Sequence, residues 1–128
     1  MVQYCHEVGG HILLTHAGGR LSRPGSSGTL EQSKGLVKLG AYIEVATSNF
    51  VGDAAIWPIS NPPDLPDWLR AMGSTQGIVM STDLGQPSVV NPIEGYRLAI
   101  RNLIHSGISK EDLNILFQKN ARAVLYLD

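Results

Sequence analysis

The chain has 128 residues, enough for one ordinary domain and too few for two. With 43% hydrophobic and 16% charged residues, a formal charge of −1 and a pI near 6.4, it reads as a globular chain of low charge density. Its ten basic residues are scattered, without the patch or stripe that marks a nucleic-acid partner.

Cys5 is the single cysteine, which excludes an intramolecular disulfide and a cysteine-built zinc site. No apolar run reaches the roughly 18 residues of a membrane span. The opening Met-Val-Gln-Tyr-Cys-His-Glu has neither the basic start nor the apolar core of a signal peptide, so the expected compartment is the cytoplasm.

Residues up to Glu7 read as the end of a helix. His11-Ile12-Leu13-Leu14-Thr15, set between Gly9-Gly10 and Gly18-Gly19, reads as a strand buried on both faces. A Gly- and Ser-rich loop, Ala17 to Gly28, leads to Thr29-Leu30-Glu31-Gln32, which has the form of a capping box. Leu30, Leu36, Val37 and Leu39 make that helix apolar on one side, and Gly40 suits its end. A second strand follows at Gly40–Val45, and then a loop from Ser48 to Pro66 with four prolines. The third strand is Gly77–Ser81. Asn91-Pro92-Ile93-Glu94 predicts a helix start, with Ile93, Tyr96, Ile100, Leu103 and Ile104 on its inner face and Gly107 closing it. Ser109 starts the last helix, with Leu113, Leu116, Phe117, Ala121 and Val124 inward. Strands alternating with helices predict an α/β fold with parallel strands, residues 1–128 forming a single domain.

Parallel strands bring their carboxyl ends to one edge, where long loops carry function. His16 ends the first strand and Asp83 follows the third, so the two meet at that edge. An imidazole and a carboxylate there suit zinc, manganese or iron. A carboxylate at the end of a buried strand needs a partner, and a metal would supply one. The alternative is structural: His16 as a hydrogen-bonded loop residue, Asp83 as the cap of a turn. Glu44 is either a third group at the same edge or a solvated strand-end carboxylate. The loop holding Arg20 and Arg23 ahead of the Thr29 helix offers a second function, binding of a small anion. His11, at the opposite edge, reads as structural. Cys5 and His6, being adjacent, would point apart on a helix, and His105 suits the negative end of one.

The stretch "GIVMSTDLGQPSVVNPIEGYRLAIRNLIHSGISKEDLNILFQKNARAVLYLD" resembles the C-terminal end of amidohydrolase-superfamily barrels. Within them it is similar to an uncharacterised amidohydrolase-like family whose last strand ends in Thr/Ser-Asp-Leu-Gly-Gln. The final helix, "GISKEDLNILFQKNARAVLYLD", resembles that family's tail, "HILLTHAGG" its strand with a metal-binding terminal His, and "LVKLGAYIEV" the strand after it.

The resemblance implies a partial (β/α)8 (TIM) barrel, three parallel βα units corresponding to the last three strands. It implies a divalent metal (zinc, manganese or iron) at the carboxyl face, His16 and Asp83 as ligands, and Asp83 also as the catalytic base that takes a proton from the attacking water. Gln86 and Asn91 lie in the same loop. A whole barrel takes about 250 residues, and the family's His-x-His motif, its bridging Lys or Glu and a second strand-end His have no counterparts in this sequence. The expectation is thus a truncated or partial metal-dependent hydrolase with a small-molecule substrate, starting within a helix and inactive alone. The alternatives are an anion-binding module and a half-barrel whose inner-face residues Leu13, Ile43 and Val79 are covered by another copy or by a separate N-terminal segment.

Overall fold

A computed structural model describes residues 1–15, 29–48, 65–85 and 90–127. Its elements run α1 (Val2–Glu7), β1 (Leu13–Leu14), α2 (Leu30–Lys38), β2 (Tyr42–Ala46), α3 (Leu65–Met72), β3 (Ile78–Ser81) and α4 (Pro92–His105). The C-terminal segment is α5 (Lys110–Asn114), a π-helical turn (Ile115–Lys119) and α6 (Asn120–Val124). The three strands form one parallel sheet in the order β1-β2-β3, as the alternation predicts. No helix among the described residues is long and apolar enough to cross a membrane.

Local chemistry sets the helix starts. The Thr29 hydroxyl accepts from the Gln32 N–H, and the Gln32 side chain accepts in return from the Thr29 N–H at 2.7 Å. The Asn91 side chain accepts from the Ile93 N–H at 2.9 Å, with Pro92 in the first turn. Gly40 ends α2 at φ +88, and the place of a Cβ there is filled by the His6 ring, whose Nε2 lies 3.2 Å from the Gly40 carbonyl.

Register decides which residues face inward. Ile43 pairs with Ile78 and Val45 with Met80, so these four side chains share one face of the sheet. Leu65, Trp68, Leu69 and Met72 of α3, Leu103 of α4, Leu113 of α5 and Leu116 of the π turn close over them, with Leu30 and Val37 of α2 packed alongside. Each such side chain contributes about 1.5–3 kcal/mol when fully buried. Among the described residues, helices α2 to α5 therefore serve a single face. The other face carries Leu13, Glu44, Ala46, Val79 and Ser81.

Several expectations need correction. β1 pairs through two residues instead of five, and His11 precedes it, stacked on Tyr126 with ring centroids 4.8 Å apart. Ile43 belongs to the helix-covered face and not to an inner face needing cover. The segment from Ser48 to Pro66 does not end as a loop, because Leu65–Met72 is helical and Pro66 sits in its first turn, where proline costs nothing. On α4 the buried residues are Gly95, Ala99 and Leu103, while Ile93 and Ile104 are exposed. The two small residues allow close approach along a line that the bulky pattern did not mark.

The last helix is tied to the turn before β3. The side-chain amide of Asn120 donates to the carbonyls of Thr75, at 2.8 Å, and Ile78, at 2.7 Å. Asp112 accepts from the Ser109 hydroxyl at 2.6 Å and the Thr75 hydroxyl at 2.8 Å. Those two hydroxyls, Ser109 first, hold its carboxyl below the ordinary carboxylate range. The contribution is present while Asp112 is ionised and is lost as acidification protonates it.

Candidate functional site

The carboxyl ends of β2 and β3 lie side by side, Ala46 opposite Ser81. Pairing continues past the sheet: the Thr47 N–H donates to the Ser81 carbonyl at 2.8 Å and the Ser48 N–H to the Thr82 carbonyl at 3.0 Å. The chain then turns at Asp83, whose φ of +48 is left-handed backbone that Asp and Asn tolerate better than other side-chain-bearing residues. The Leu84 N–H reaches the Thr82 hydroxyl at 3.5 Å across this turn. Asp83 itself is exposed at the edge of the sheet instead of being buried.

The buried carboxylate is Glu44. It is 7% exposed, on the sheet face opposite Ile43 and Val45, and the Ser81 hydroxyl donates to its Oε1. The reading of Glu44 as a solvated strand-end group is corrected: β2 is buried on both faces, so the strand has no solvent side to offer. Tyr96, at the start of α4, donates its hydroxyl to the Met80 carbonyl at 3.0 Å. Burial first, and then the negative charge of Glu44, raises the phenol above its ordinary value, so Tyr96 stays protonated. Ser81 and Tyr96 were not singled out by sequence. The available signal was a lone Glu between Ile43 and Val45 in a strand with no polar alternation.

The remaining expected groups divide clearly. His16, Gln86 and the Arg20–Arg23 loop lie outside the described residues. Asn91 caps α4. His6 and His11 sit near each other, ring centroids 5.9 Å apart, in a cluster with Tyr42 and Tyr126 at the amino end of the sheet. Among the described residues, no three His, Cys, Asp or Glu side chains come together to hold a metal ion. A catalytic zinc site uses three protein ligands. The described residues bring one expected ligand, Asp83, to the edge, and by themselves they do not make a metal site.

The backbone at Asp83 carries a testable consequence. Asp83→Ala is expected to destabilise the fold by about 1 kcal/mol, because alanine bears the left-handed penalty without a compensating side chain. Asp83→Asn is expected to leave stability within about 0.5 kcal/mol. Urea unfolding of both variants checks this, and equal midpoints would remove the conformational argument.

Compared with models of protein families, with curated proteins and with solved structures, the chain finds no match.

Proposed function

We propose that this chain supplies the last three βα units of a metal-dependent, amidohydrolase-like hydrolase barrel, acting in the cytoplasm on a small molecule. One observation supports the reading most: the strands follow in chain order, β1-β2-β3, and among the described residues helices α2 to α5 pack on the same face. A doubly wound sheet would put helices on both faces and reverse its strand order. A sheet wound in one direction with one helical layer is the plan of a (β/α)8 wall. Its other face, with Glu44 and Ser81 near the carboxyl edge, corresponds to the interior of such a barrel.

In this reading Asp83 accepts a proton from water attacking a C–N or C–O centre. A divalent metal (zinc, manganese or iron) would lower the pKa of that water and polarise the scissile group. His16 and ligands from outside the described residues would be needed to hold it. The 128-residue chain, lacking the His-x-His motif, is inactive alone.

The test begins with the reading frame upstream of Met1. A frame encoding His-x-His after an apolar strand is expected, and the longer product should hydrolyse members of an amide and ester panel only with metal. Asp83→Asn in that product should lower the rate about a thousandfold, the scale of a lost general base. Retained activity in Asp83→Asn, or no metal bound by the longer product, would sink the proposal.

A second reading, a half-barrel that associates with another copy, is favoured by Leu13, which is 40% exposed on the sheet face opposite Ile43 and Ile78. Sedimentation of the 128-residue chain at micromolar concentration tests it, and a monomer argues against it.

A further inference from the structure

We infer that Glu44 is a positioning residue for Asp83, acting through the hydroxyl of Ser81. The inference rests on the reading of Asp83 as the proton acceptor. A chain of contacts supports it. Met80 is pinned through its carbonyl by Tyr96, Ser81 through its hydroxyl by Glu44 and through its carbonyl by the Thr47 N–H, and Thr82 through its carbonyl by the Ser48 N–H. Three successive residues are thus fixed immediately before Asp83. They set the direction in which the chain enters a turn that a side-chain-bearing residue does not favour.

Of these contacts, the one to Glu44 is charge-assisted and shielded from water, which makes it the strongest of the set. It lies on the sheet face opposite Ile43 and Val45, the face that Ser81 shares. Glu44 holds the Ser81 side chain toward this face, and the peptide planes that follow inherit that orientation up to Asp83.

The experiment is backbone NMR of the full 128-residue chain, reading the Cα and Cβ shifts and the φ-dependent coupling of Asp83, with hydrogen exchange at Ser48. Glu44→Gln keeps an acceptor oxygen and is expected to leave Asp83 left-handed. Glu44→Leu and Ser81→Ala remove the contact from either side, and each should move Asp83 toward averaged values and speed Ser48 exchange about tenfold. If Glu44→Leu does not fold, Ser81→Ala decides alone. A general loss of stability shifts the urea midpoint without changing the native coupling of Asp83, so a merely structural role is separable. Unchanged Asp83 shifts and coupling in Ser81→Ala overturn the inference. The hydrolase reading is tested separately by Asp83→Asn in the longer product, so the two can fail independently.

Discussion

Asn120→Leu lowers the stability of the fold by about 3 kcal/mol, read as a drop in the urea midpoint at constant m. Asn120 is 4% exposed, and its amide spends both protons on backbone carbonyls, those of Thr75 and Ile78. Leucine matches the size but donates nothing, leaving the buried Ile78 carbonyl without this donor, while the Thr75 carbonyl keeps the Ile78 N–H at 3.3 Å. Each unsatisfied buried carbonyl costs about 1–3 kcal/mol. Asn120→Asp should be worse at neutral pH, because a carboxylate would face two carbonyl oxygens with no proton between them. An Asn120→Leu midpoint equal to that of the parent protein would mean that the turn before β3 finds other donors. The clamp would then carry no stability.

Leu116→Ala is the second large effect, expected at about 3 kcal/mol within the range of about 2–5 for buried leucines. Leu116 is fully buried where the π turn meets the sheet, among Ile43, Ile78 and Leu103 of the same cluster. Truncation removes packing from strand and helix together, and a backbone already departing from α-helical hydrogen bonding has little room to collapse into the cavity. Ile93→Ala is the control. Ile93 is exposed on α4, and its truncation should stay within about 0.5 kcal/mol. If Ile93→Ala proves as costly as Leu116→Ala, the buried line Gly95-Ala99-Leu103 is wrong and the bulky line read from sequence is right.

That contrast explains what the sequence made legible. Caps were readable because they are local: Thr29 with Gln32, Asn91 with Pro92, and Ser109, whose hydroxyl accepts from the Asp112 N–H. The three parallel strands were readable because each is a short apolar run between turn residues. Helix α3 was not, since three prolines before it and Pro66 in its first turn outweighed the apolar spacing of Leu65, Trp68, Leu69 and Met72. Asn120 was passed over because a polar residue on an apolar face has no visible partner until Thr75 and Ile78, more than forty residues away, are brought beside it.

The site follows the same rule. Asp83 was found through a short motif at a strand end, a local signal. Glu44 was legible only as two alternatives, because its neighbours Ser81 and Tyr96 are brought near only by the sheet register and α4. Resemblance supplied a chemistry for the edge. Only tertiary structure distinguishes the exposed carboxylate from the buried one.

The parallel arrangement also constrains how the chain folds. Neighbouring strands are joined only through intervening helical segments, so no hairpin can nucleate the sheet. Each strand pair must close a loop of some thirty residues before it gains a hydrogen bond, which places sheet formation late and slow. The helices from Pro92 to Val124 have contacts close in sequence and can form first. They then offer β3 a prepared apolar surface, β3 receives β2, and β1, held by two residue pairs, joins last and opens first.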